Sequence, residues 1–190
     1  MMRDTTHLAI FESPEEALRF SYRHAQGVYP VNTLSRWQAK PGSEPPRLPS
    51  GLDAATAAGW VRNVVEGGNG AAGMVEPYRS ILLAKHSVNP ALNLRAKLNL
   101  VDEALNHAMG TGLHKRRMVD LLIQRYFGGR TPGPDGKLRP IRQHQIADQC
   151  GVCQKTVSNA YTKLRNWLDD KDKTATELVT RALAGRGLVE

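Results

Sequence analysis

Apolar residues along this chain recur in steps of three and four, the spacing of one face of a helix. Ser13-Pro14-Glu15-Glu16 opens the first such run with a capping serine, a proline at the first helical position and a glutamate three residues after the cap. The helix it predicts runs to about Gln26, with Ala17, Phe20 and His24 on one side. Residues 41–51, PGSEPPRLPSG, are dense in proline, serine and glycine and read as a linker or long loop. Asp53 is placed to cap the next helix, where Ala57, Trp60, Val61 and Val64 fall at i, i+3, i+4 and i+7. The glycine-rich stretch from Gly67 to Gly73 stops it. Lacking the lysine and strand of a phosphate loop, that stretch reads as a flexible connection.

Pro77 begins a short helix with Tyr78, Ile81 and Leu82 on one face. Asn89-Pro90 opens the longest candidate, to about Met109, in which Ala91, Leu94, Leu98, Val101, Leu105 and Ala108 form a seam for packing on another helix. Burial within the same chain is the commoner use of such a seam, and a dimer interface is the other. Residues 113–127 follow, with Val119, Leu122, Ile123 and Tyr126 as the buried face and Gly128-Gly129 as the stop. The loop 128–140 holds a Pro134-Asp135-Gly136 turn. Near the end, Thr174–Ala184 predicts a short helix with Leu178, Val179, Ala182 and Leu183 apolar, suited to capping the core or pairing with a partner. No segment reads as a strand. The expectation is an all-α, multi-helix protein: a helical N-terminal region over 1–110, a basic helix-turn-helix domain over 111–170 and a C-terminal helix in 171–190.

Composition narrows the setting. Hydrophobic residues make up 41 % of the chain with few aromatics, so Ala, Leu and Val fill the core of a soluble helical protein. No apolar run approaches the roughly 20 residues that span a bilayer. The N-terminus has no apolar stretch followed by a small-residue cleavage site, so no signal peptide is expected. A cytoplasmic location with reduced cysteines follows. The net charge is +8, and residues 111–170 hold eleven basic against five acidic side chains, a local excess that suits a polyanion-binding surface.

Within that segment, residues 143–162, QHQIADQCGVCQKTVSNAYT, meet the demands of a helix-turn-helix. Two short helices cross steeply over a tight turn, so the fifth position must be small, and it is Ala147. The ninth must accept a left-handed backbone, and it is Gly151. Positions four, eight, ten, fifteen and eighteen face a shared core and are Ile146, Cys150, Val152, Val157 and Ala160. The second helix then divides. Val157, Tyr161, Leu164 and Leu168, with Trp167 beside them, form an inner stripe.

Gln154, Lys155, Ser158, Asn159 and Thr162 form the outer stripe, chemically suited to the edges of bases in a major groove. Gln and Asn pair bidentately with adenine, Ser and Thr bond several edges, and Lys pairs with guanine or holds phosphate. Arg139, Arg142, Gln143, Lys163 and Arg165 lie where they meet the flanking backbone of double-stranded DNA. A merely solvated polar face is the alternative for any one of these residues.

Cys150 and Cys153 have the spacing of a zinc or redox pair, but a structural zinc site takes four ligands and the chain offers no second cysteine pair. Cys150 instead suits the small apolar position of the motif. No cofactor or metal is expected. An enzyme that uses the motif for targeting needs clustered carboxylates or a nucleophile with a base. Glu15 and Glu16 sit in a helix cap, Asp102 and Glu103 diverge on a helix, and Asp169 and Asp170 lie at a helix end, so the expectation is a protein without catalytic residues.

The segment IADQCGVCQKTVSNAYTKLRNWL is similar to the helix-turn-helix of sigma-factor region four and of many response-regulator effector domains. Together with KRRMVDLLIQRYFGG from Lys115, it resembles the phage Q-type antiterminators and the related AlpA-like activators of bacterial lysis cassettes, over about residues 115–170. That resemblance implies a bacterial or prophage regulator that binds DNA near a promoter, loads onto RNA polymerase and lets it read through terminators. A conventional promoter-binding activator or repressor is the alternative reading.

Overall fold

The computed structural model describes residues 9–26, 54–68, 72–110, 113–132 and 136–189, and these are mostly helical. The proline-rich stretch 41–51, the Asp53 cap and Pro134-Asp135 of the expected turn lie outside the described residues. Two compact units divide the chain: one holds residues up to Met74, His86–Asn89 and those from Ala175 on, and the other holds Val75–Lys85 and Pro90–Thr174.

In the first unit α1 (Pro14–His24) packs on α2 (Ala54–Glu66). Ser13 caps α1 as its sequence predicts, its hydroxyl accepting the Glu16 N–H at 3.1 Å. The Glu16 carboxylate reaches back to the Glu12 N–H at 2.9 Å. Ala17, Leu18 and Phe20 are buried, and Phe20 meets Phe11 at 5.3 Å between ring centroids. In α2 the buried stripe is Ala57, Ala58, Val61 and Val65, and Trp60 stays 39 % exposed. The expected face was therefore turned by part of a helical step. The chain's end returns here, with the Phe11 N–H bonded to the Leu188 carbonyl at 2.9 Å.

The second unit contains most of α3 (Tyr78–His86), α4 (Pro90–Ala104), a π-helical turn (Leu105–Met109), α5 (Leu113–Tyr126), a hairpin of β1 (Arg130–Pro132) and β2 (Leu138–Pro140), α6 (Gln143–Cys150) and residues 154–174 of α7 (Gln154–Ala184). α4 and the π-turn pack on α5, and α5 packs on α6. Met118, Val119, Leu122 and Ile123 supply the buried face of α5.

Three expectations are corrected. The seam faces the core only in its second half: Val101 and Leu105 are buried with Ala96, Leu100 and Ala104, whereas Leu94 is 58 % and Leu98 44 % exposed. The buried face therefore mixes small Ala96 and Ala104 with the larger Leu100, Val101 and Leu105. The chain is not free of strands, because β1 and β2 pair antiparallel with Thr131 opposite Arg139. Three-residue strands carrying two prolines are too short to show alternation. The C-terminal helix is not separate either. α7 is one helix of 31 residues, about 46 Å long, and its buried Leu164, Leu168, Ala175, Val179 and Leu183 hold one phase through the charged run 169–173.

No helix among the described residues is long and apolar enough to cross a membrane.

Candidate nucleic-acid interface

α5 ends at a glycine pair that sets up everything after it. Gly128 takes φ 73°. The Gly128 N–H reaches the Arg125 carbonyl at 3.1 Å and the Gly129 N–H reaches the Gln124 carbonyl at 2.7 Å, the paired bonds of a Schellman end. A Cβ on Gly129 would lie 2.6 Å from the Gln124 carbonyl oxygen, so only glycine lets the chain leave this close to the helix. The hairpin follows at once. Its far strand returns to the same point, where the Ile141 N–H bonds the Gly129 carbonyl at 3.3 Å and the Ile141 side chain is buried.

Arg142 stands at the N-cap of α6 in an extended conformation. Its guanidinium has no acceptor to offer the helix, so only the reverse half of a capping box is made: Gln145 Oε1 accepts the Arg142 N–H at 2.9 Å. At the other end Gly151 adopts φ 64°, ψ 34°. The Gly151 N–H bonds Asp148 at 3.4 Å and the Val152 N–H bonds Ala147 at 3.1 Å, again a Schellman pair. Cys153 then starts α7, its carbonyl accepting from Thr156 at 3.0 Å and Val157 at 3.3 Å. The order is helix, three-residue turn, helix, with the left-handed residue at Gly151. Ile146, Ala147 and Val157 are buried, and Cys150, Val152 and Ala160 are half-buried.

On α7, Gln154, Lys155, Asn159 and Thr162 are exposed and Ser158 is half-buried. At about 100° per residue, Gln154, Ser158 and Thr162 form one stripe, and Lys155, Asn159 and Lys163 the stripe beside it. The Thr162 hydroxyl donates to the Ser158 carbonyl at 3.1 Å, leaving its oxygen as an acceptor for a ligand. Arg139, Arg142, Lys163 and Arg165 are exposed and Gln143 is half-buried. Arg165 is paired on the surface with Asp169, its Nε 3.4 Å from Oδ2.

The cysteines differ. Burial pushes the Cys150 thiol up, with nearby Arg117 acting the other way. The exposed Cys153 thiol is held below its ordinary range by Thr156, whose hydroxyl lies 3.1 Å from the sulfur, and by the Thr156 backbone N–H. Among the described residues, no three His, Cys, Asp or Glu side chains are placed to hold a metal ion.

Arg125 and Tyr126 take supporting roles that the spacing of residues along the chain does not signal, and Tyr126, expected on the buried face, is half-buried. Arg125, at the end of α5, donates to the Ile141 carbonyl and lies 5.1 Å from the centre of the Tyr161 ring, tying the root of the hairpin to α7. Tyr126 donates to Asp169 Oδ1 at 2.7 Å, so one carboxylate serves both Tyr126 and Arg165. Tyr126 and Asp169 lie 43 residues apart, and no local spacing could have paired them.

Charge follows the same division. The unit holding these elements carries seventeen basic and nine acidic side chains, and the other carries nine of each, so the whole +8 belongs to one unit. Comparison with family models, curated proteins and solved structures finds no match to this chain.

Proposed function

We propose that this protein is a sequence-specific transcription regulator that reads double-stranded DNA with the outer face of α7. The observation that carries this reading is the exposed polar surface of Gln154, Lys155, Asn159 and Thr162 at the start of a helix entered by a left-handed turn, in the unit that holds all the net charge. On this reading 143–162 acts as a helix-turn-helix, with the start of α7 in the major groove. Asn159 and Gln154 read adenine and Lys155 reads guanine, each good bidentate contact contributing about 1–3 kcal/mol of discrimination. Arg139, Arg142, Gln143, Lys163 and Arg165 set the register against phosphate.

The downstream action we favour is that of a Q-like antiterminator, loading onto RNA polymerase near a promoter in the cytoplasm and permitting terminator read-through. The test has two stages. Selection from a random duplex pool gives the element, and multi-round transcription across a terminator is then run on a template carrying it. Read-through by the wild type, lost in a Lys155→Ala/Asn159→Ala variant, is expected. Unchanged DNA selection by that variant overturns the reading face, and absence of read-through overturns antitermination.

A conventional promoter-binding activator or repressor is the second reading. The exposed Leu94 and Leu98 on α4 favour it, because a second copy packed there would give a dimer. Such a dimer protects two half-sites about one helical turn apart, whereas a polymerase-anchored factor need not.

A further inference from the structure

The hairpin between α5 and α6 contributes almost nothing to the core. Arg130, Pro132, Gly136, Lys137, Leu138, Arg139 and Pro140 are all exposed, and Leu138 is 62 % exposed. Its own strand pairing and the bonds at its root hold it, so its outer side chains are left facing solvent. Its chemistry is one-sided: across 128–142 the chain places Arg130, Lys137, Arg139 and Arg142 against the single acid Asp135. Both strands are sheet edges, and Pro132 and Pro140 remove backbone donors that a further strand would need. Strand addition is therefore disfavoured, and a polyanion is the complementary partner.

Position supplies the second argument. The hairpin's root at Gly129 and Ile141 is tied by Arg125 to Tyr161. On the helical wheel Tyr161 borders the Gln154–Ser158–Thr162 stripe, so the root stands beside the edge of the reading face. Three paired residues extend about 10 Å from there before the loop. With α7 in a major groove, an arm of that length rooted at its edge is long enough to reach the sugar-phosphate wall and the narrow groove beyond it.

We infer that the hairpin is a second DNA contact, in which Arg130, Lys137 and Arg139 grip the flanking backbone and Leu138 lies against the adjacent minor groove. This rests on the α7 reading proposed above. The minor groove is a fitting place for basic side chains with an apolar one among them. The contact adds affinity whatever the sequence, because it engages phosphates.

The test measures binding of a fluorescent random-sequence duplex by anisotropy across roughly 50–200 mM salt. The Arg130→Ala/Lys137→Ala/Arg139→Ala variant is expected to lower the slope of log affinity against log salt by about 2–3, and to weaken binding at least about tenfold at the low-salt end. Its thermal unfolding should match the wild type, since the altered side chains are exposed. An Arg130→Lys/Arg139→Lys variant should keep the wild-type slope, and equal loss in it would overturn a charge-based contact. Hydroxyl-radical footprints on the selected element should lose flanking minor-groove protection in the alanine variant and keep the central region.

An unchanged slope and footprint in the alanine variant, with the wild type bound, overturns the hairpin contact and leaves the α7 reading standing. A wild type with no salt-dependent binding overturns both. The Lys155→Ala/Asn159→Ala variant marks the difference: it should lose sequence preference while its slope falls by no more than about one.

Discussion

Gly151 joins α6 to α7 at φ 64°, ψ 34°, and a Cβ built there meets nothing within 4 Å. Space is therefore no obstacle to a side chain, and backbone conformation alone selects glycine. A left-handed residue with a Cβ costs about 1–2 kcal/mol, and Asn tolerates the region better than Ala. Gly151→Ala should lower unfolding free energy in urea by about 1–2 kcal/mol, with Gly151→Asn falling between it and the wild type. Equal stability of the alanine variant and the wild type would mean that the turn does not require this geometry. Glycine as the left-handed position was readable from sequence because the demand is local. Arg165 shows where that stops. Its place on an exposed face and its i,i+4 spacing to Asp169 are local, but that carboxylate's second bond, to Tyr126, depends on a distant helix.

That bond links two elements, α5 and α7, and it titrates. Burial first, and then the hydrogen bond to Asp169, raise the Tyr126 phenol above its ordinary value. A raised folded-state value means the neutral phenol stabilises the fold below the unfolded value of about 10. That contribution is lost as pH rises through the folded value. Tyr126→Phe should cost about 1 kcal/mol near neutral pH, and the gap to the wild type should close as the solution becomes strongly alkaline. A gap that stays constant with pH would show that the phenol's proton is not involved. Other elements show where pattern suffices. The cap of α1 was legible because Ser13, Pro14 and Glu16 act within one turn. On α4 the apolar seam was legible only in part: Val101 and Leu105 are buried, but Leu94 and Leu98 are exposed while Ala96, Leu100 and Ala104 join the buried face. The charged run 169–173 looked like a boundary because it holds no apolar residue, yet it contains no helix breaker either, and α7 passes through it. Within the expected loop 128–140 the two strands are defined by pairing with each other, which no single short segment announces.

Across the whole molecule the decisive asymmetry is electrostatic: seventeen basic and nine acidic side chains in one unit, nine and nine in the other. A net excess of this kind weakens the compact state through self-repulsion, and a bound polyanion relieves it. Duplex DNA that binds the folded basic unit and not its unfolded chain should therefore stabilise it by mass action. At about a hundredfold over the dissociation constant the gain is about 2.7 kcal/mol. The balanced unit has no such linkage. Calorimetric unfolding of the full chain with a random-sequence duplex should show a rise in the melting temperature of the basic unit that shrinks as salt increases, since counterion release drives the contact. Hydrogen exchange followed in the same samples assigns the effect: protection should increase along α5, α6 and the first turns of α7, with α1 and α2 unchanged. Uniform protection of both units, or stabilisation that is indifferent to salt, would break the connection between the charge asymmetry and DNA binding.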